Sequence, residues 1–212
     1  MAFISNGTTM LDAGAFSTSL GSMVLIKTLT ASSDSTLSFV HGSSSVVLDN
    51  TYPVYMFKLI SIHPSAANAY LAFNGTSDGT NYNVTKTTTS FYAYHNEGDG
   101  TPVLTYSGGY DLAQATGFQR IMFDNNSSDD DAGHCSELFL FNPSSTTFVK
   151  HFMCRSIGIN TAADGTSNPY AIDANVAGYF NTTSAITGIQ FKMDNAGSLA
   201  TGTIKLYGIK DS

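Results

Sequence analysis

The chain is predicted to fold as an all-β, antiparallel β-sandwich, jelly-roll-like, with about a dozen strands and at most one or two short helical turns. Three observations predict it. Short runs of β-branched, aromatic and aliphatic residues recur along the sequence. Clusters of Gly, Asn, Asp and Ser separate them at the spacing of an all-β domain. Helical periodicity is almost absent. A length of 212 residues fits one such domain, 1–212, with residues 1–20 expected as an extended N-terminal arm.

Met23 to Leu29 is the first strong strand signal. Leu37, Phe39 and His41 share one face of the next. Val54 to Ile62 is long and apolar and closes at His63-Pro64, and Tyr70 to Phe73 ends at Asn74-Gly75. Phe91 to Tyr94 precedes the turn at 98–100, and Val103 to Tyr106 is short. Ile121 to Phe123 leads into an acidic loop, and Glu137 to Phe141 stops at Asn142-Pro143. Thr147 to Ile159 is the longest run and, with Val54 to Ile62, is expected to be central. Gly178 to Phe180 is a weak strand signal. Ala185 to Met193 alternates, with Ile189, Phe191 and Met193 inward. Thr203 to Ile209 closes the series as a strand expected to be paired within a sheet. The helical turns are expected at Asp111 to Ala115, where Asp111 can cap, and at Ala171 to Val176. Segments 57–73 and 138–152 echo each other as strand, Pro-containing turn and strand, which suggests two similar hairpin-like connections.

Apolar residues make up 42% of the chain, enough for a core without disulfide staples. Charged residues are only 12%, about half of the usual ~25%. A surface built from Ser, Thr, Asn and Gly is easily desolvated and suits a protein packed in an assembly. The nine Lys and Arg are scattered singly and the net charge is -7, so the basic footprint of a nucleic-acid binder is missing. The acidic balance also disfavours anionic membranes. No run approaches the ~18 apolar residues of a membrane-spanning helix. The start, MAFISNGTTM, lacks the basic and apolar regions of a signal peptide, so no standard secretion signal is expected and cell lysis is one route outward. Cys135 and Cys154 are expected as small buried hydrophobes rather than a disulfide.

Catalytic patterns are missing. The five histidines show no metal-pair spacing, and there is no nucleophile elbow. His134 and Cys135 are adjacent, so on a strand they face opposite sides. Glutamate occurs only as Glu97 and Glu137, and no carboxylate pair is placed for glycoside hydrolysis. The chain is therefore expected not to be an enzyme and to need no cofactor. One ion-like cluster stands out, the loop 124–131. Its Asp129, Asp130 and Asp131 are candidate Ca²⁺ ligands, with a solvated turn as the alternative. Asp78-Gly79 reads as a hairpin turn. Tyr92, Tyr94 and Tyr207 are candidate interface anchors, because Tyr offers contact area with a polar tip, with ordinary sheet-face packing as the alternative.

The segments 52–83 (YPVYMFKLISIHPSAANAYLAFNGTSDGTNYN), 110–120 (YDLAQATGFQR), 138–148 (LFLFNPSSTTF) and 202–212 (GTIKLYGIKDS) resemble virion structural proteins of marine tailed bacteriophages. The C-terminal G-x-I-x-L-Y-G-I-K is the most recognisable piece. The resemblance implies a component of a phage particle, made in the host bacterial cytoplasm. The expected role is a structural protein of the virion exterior, a capsid decoration or tail and appendage protein. Its partners would be other virion proteins and copies of itself. The alternative is a receptor- or carbohydrate-binding adhesin module of the tail that contacts a host-surface receptor. Within 202–209, Ile204 and Leu206 share one face, and a bulge at Gly208 would turn Ile209 inward.

Overall fold

The computed structural model describes residues 22–100, 102–123, 128–129, 132–160 and 169–210, together with the backbone of 3–5, 8–12 and 15–16. Strands β1 (Phe3–Ser5), β2 (Thr8–Asp12) and β3 (Ala15–Phe16) form a small antiparallel sheet by themselves. The arm expected over 1–20 thus contains local strand pairing.

The remaining twelve strands lie in two antiparallel sheets, and the described residues contain no helix. They are β4 (Met23–Thr30), β5 (Leu37–Val40), β6 (Val54–Pro64), β7 (Tyr70–Thr76), β8 (Lys86–Asn96) and β9 (Val103–Tyr106). Then come β10 (Gln119–Arg120), β11 (His134–Phe141), β12 (Lys150–Asn160), β13 (Tyr170–Phe180), β14 (Gly188–Asp194) and β15 (Leu199–Ile209). The large sheet has the order β4-β15-β6-β11-β12-β13-β8-β9 and the small one β10-β7-β14-β5. Both runs expected to be central, β6 and β12, have neighbours on each side, and the C-terminal β15 is paired with β4 and β6.

Three local expectations are corrected here. Residues 171–176, expected as a helical turn, lie in β13, where pairing with β8 and β12 overrides their Ala content. Residues 111–115 form no helical turn either. Ala115 instead bridges Lys86, with backbone hydrogen bonds in both directions. The echo between 57–73 and 138–152 does not survive as two hairpins. Segment 138–152 joins the paired β11 and β12, whereas 57–73 carries the chain from β6 in one sheet to β7 in the other.

The core lies between the sheets. Phe39, Phe73 and Phe191 of the small sheet meet Phe57, Phe152 and Phe180 of the large one, all with at most 2% exposure. Ring centroids are 5.3 Å apart for Phe39–Phe57 and 5.1 Å for Phe73–Phe152, in edge-to-face pairs. Period-two alternation along β11 and β12 supplies the inward row, with Leu138, Leu140, Phe152 and Cys154 buried. The segment after β9 covers the β8–β13 end of the large sheet, where Phe123 stacks on Tyr110 at 4.8 Å.

Two glycines are required by close approach. Gly202 has φ +116°, and a Cβ there would lie 2.6 Å from the Ser61 carbonyl oxygen, at the point where Ser61 (φ +50°) interrupts the ladder of β6. A Cβ on Gly208 would lie 2.3 Å from the Tyr52 ring. The bulge expected at Gly208 is absent. The irregularity instead falls between Leu206 and Tyr207, where β4 carries one extra residue, Ile26. Ile209 therefore stays on the Tyr207 side of the sheet, opposite Met23 and Val54.

At the end of the inward face, Lys86 and Lys150 flank Phe180 in the register, both fully buried. Lys86 Nζ donates to the Gly117 carbonyl at 2.5 Å and Lys150 Nζ to that of Thr182 at 3.2 Å. Burial pushes the Lys86 amine down to about 8, so near pH 7 it is held charged at a cost. Lys86→Met is expected to stabilise the chain at pH 7 by about 1–3 kcal/mol in a urea titration, since a packed thioether replaces a desolvated cation. The gain should shrink as the pH is raised from about 8 to 10.5, where the native amine is already neutral.

Candidate functional site

The outer face of the large sheet is where the surface departs from that of an ordinary sandwich. On β12 the residues alternating with the buried row are His151, Met153, Arg155, Ile157 and Ile159. Met153 and Ile157 are 51% and 52% exposed. The register places Met153 beside Phe139, Phe139 beside Met56, and Met56 beside Tyr207, which faces Leu25 on β4. One apolar row thus crosses the sheet from β12 to its β4 edge. Toward the other edge, Phe91 of β8 faces Tyr106 of β9, and Ala93 faces Leu104, which is 74% exposed.

Of the nine large apolar side chains that stay exposed among the described residues, all but Phe148 lie on strands of this sheet. Five grooves, with volumes of about 310 to 930 Å³, open on the same face. The largest, of about 930 Å³, lies between β9 and β11 and is lined mainly by Ala93, Leu104, Ile157, Ile159 and Ala171.

Charge on this face is sparse and internally paired. Arg155 donates to both carboxylate oxygens of Asp173, at 3.0 and 2.7 Å, and this fork holds the Asp173 carboxyl below its usual range. Lys58 Nζ lies 3.1 Å from Glu137 Oε1 on the neighbouring strand. The small sheet presents the opposite character. Its outer face carries Gln190 donating to Ser38 at 2.9 Å, Arg120 donating to Asp194 at 2.9 Å, and Lys192 at 3.3 Å from the same carboxylate. Arg120 also lies 4.1 Å over the Tyr70 ring.

The candidate anchors separate. Tyr207 is on the outer face, half-buried between Leu25 and Met56. Tyr92 and Tyr94 are corrected: they follow the inward parity of Lys86, Thr88 and Ser90 and pack against the core. Tyr92 meets Phe123 at 5.8 Å and Tyr94 meets Tyr170 at 5.0 Å. The outward residues of that segment are Phe91, Ala93 and His95. The sequence signal that marks the apolar outer face is two-sided apolarity: on β12 the buried Phe152 and Cys154 alternate with Met153 and Ile157, so neither side is polar.

Of the candidate Ca²⁺ ligands, Asp129 is exposed, and its carbonyl accepts a hydrogen bond from His63 Nε2 at 2.8 Å. Asp130 and Asp131 lie outside the described residues. No group of three or more His, Cys, Asp or Glu is arranged to hold a metal among the described residues. Asp78 acts as a turn cap. Its carboxylate accepts from the Thr80 and Asn81 amides at 2.8 and 2.7 Å, which holds it below the usual range. The strands it joins, β7 and β8, lie in different sheets, so the turn is not a hairpin.

Both cysteines are free. Cys154 is a buried small hydrophobe whose thiol is pushed up to about 12 by burial. Cys135 is half-buried on the outer face, where its sulfur accepts the Ser61 amide at 3.4 Å. No helix among the described residues is long and apolar enough to cross a membrane. Comparisons with family models, curated proteins and solved structures found no match to this chain.

Proposed function

We propose that the chain is a structural component of a bacteriophage virion exterior, a capsid decoration or tail protein, that works by packing against protein partners rather than by turnover. The observation that carries the packing role is the outer face of the eight-stranded sheet. It gathers Met23, Leu25, Leu104, Met153 and Ile157 in the open on a chain with only 12% charged residues. Isolated exposed apolar residues need no explanation, but a face of them marks an interaction site. Met, Tyr and Phe are the residue types enriched in such contacts. The virion setting is supported by the resemblance of 52–83, 110–120, 138–148 and 202–212 to phage structural proteins. Mass spectrometry of gradient-purified particles, with the chain counted against the major shell protein, tests this setting. A fixed copy number in intact particles is expected. Recovery only in the non-particle fraction would overturn it.

The groove favours one further use, capture of a host-surface receptor by a tail module. Its lining is apolar, with the Arg155–Asp173 pair as its polar feature, which suits a polypeptide better than a glycan. Binding of the isolated chain to host cells, lost in Leu104→Asp, would support this use. Absence of any cell binding would remove it.

A further inference from the structure

We infer that the partner for the outer face of the eight-stranded sheet is the same face of a second copy of this chain, the two sandwiches stacked about a two-fold axis. The inference rests on the packing role proposed above and names its occupant.

Charge comes first. Among the described residues this face carries Lys58, Arg155 and Lys205 against Glu137 and Asp173. Four of these five are cancelled within the face by the Lys58–Glu137 and Arg155–Asp173 pairs. The face is thus nearly neutral on a chain whose net charge is -7. A strongly acidic or basic partner would find little to recognise there. A two-fold interface sets a patch against itself, so an excess of either sign would repel its own copy. This face lacks such an excess, and stacking it points most of the negative charge of both copies away from the contact. The small sheet, with its ion-paired Arg120, Lys192 and Asp194, is suited to remain in solvent.

Dimensions come second. Eight strands spaced ~4.8 Å apart, with strands mostly of eight to eleven residues rising ~3.3 Å each, give a face of roughly 1,000 Å². A stable pair buries ~800 Å² on each partner, so one copy covers the face without leaving a large apolar remainder. Aligned sheets stack ~10 Å apart with strands crossing near ~30°, which brings the row from Met153 to Leu25 close to its counterpart.

Sedimentation equilibrium of the full chain tests the pairing. At ~50 µM, above the micromolar dissociation constants at the weak end for interfaces of this size, the expected mass is twice 22.5 kDa. The double variant Met153→Asp/Leu104→Asp, whose side chains are 51% and 74% exposed, is expected to sediment as a monomer with an unchanged far-ultraviolet circular dichroism spectrum. Ser184→Asp, on an exposed loop away from the face, should leave the dimer intact. A monomeric parent chain, or a dimer that persists in the folded double variant, would overturn the pairing. A solution monomer that is present on particles sinks the pairing alone. A dimer absent from particles sinks the virion setting alone.

Discussion

Phe73→Ala is expected to cost about 3–5 kcal/mol of folding stability and to lower the melting midpoint by roughly 10 °C. Phe73 is fully buried on β7 and joins the two sheets. Its ring meets Phe152 at 5.1 Å and Phe180 at 6.2 Å across the sandwich, and Phe191 at 6.3 Å on the adjacent strand. Truncation removes the buried ring and leaves a cavity whose walls are other rings fixed on β-strands, so collapse is limited. Against a typical total of ~5–15 kcal/mol, this loss is large. The comparison variant is Phe91→Ala, on the outer face and 45% exposed, for which a loss below ~1 kcal/mol is expected in the isolated chain under dimer-dissociating dilution. Denaturant titrations that return equal losses for the two would contradict the assignment of inner and outer faces.

Acid should destabilise the chain in a window set by His134. This side chain is 1% exposed at the start of β11, and neither ring nitrogen has a hydrogen-bond partner among the described residues. Burial, with the nearby His63 charge as a smaller contribution, pushes its pKa down to about 4. The unfolded chain protonates His134 near 6.5 and the native chain does not, so the unfolded state binds the extra proton. The stability is therefore complete above pH 6.5 and is lost as the pH falls to about 4, by about 3 kcal/mol. Below that, Asp49, Asp78, Asp173 and Asp194, all held below the usual carboxylate range, add their own losses. His134→Leu is expected to flatten the stability profile between pH 6.5 and 4 while leaving the carboxylate limb in place. An unchanged slope in that variant would show that another group titrates there.

The strand rhythm was legible because apolar and β-branched runs mark most of the large-sheet strands directly. It failed where side chains alone were misleading. The first half of β8, Lys86-Thr-Thr-Thr-Ser90, carries no apolar strand signal, yet Lys86, Thr88 and Ser90 are buried. Those residues find partners only in three dimensions: Thr88 donates to Gln119 at 2.7 Å, and Ser90 to the Ser107 carbonyl at 2.7 Å. Residues 171–176 lack strand character and acquire it from β8 and β12 on either side. The outer face of the large sheet was half legible. In Phe91-Tyr92-Ala93-Tyr94 both parities are apolar, so polarity could not choose the outward one. The tyrosines turned in and Phe91 turned out. The isolation of His134 had no sequence signal, since it depends on which atoms surround the ring.

Methionine oxidation footprinting of intact particles against the dissociated chain reads whether the outer face of the eight-stranded sheet is covered when the chain is assembled. Met23 and Met153 are 46% and 51% exposed on that face, whereas Met122 and Met193 are buried in the sandwich at 0% and 5% and serve as internal references. In the dissociated chain Met23 and Met153 should oxidise readily and the references slowly. In particles at least a tenfold slowing is expected at Met23 and Met153, with the references unchanged. Equal oxidation of Met153 in particles and in the dissociated chain would contradict it.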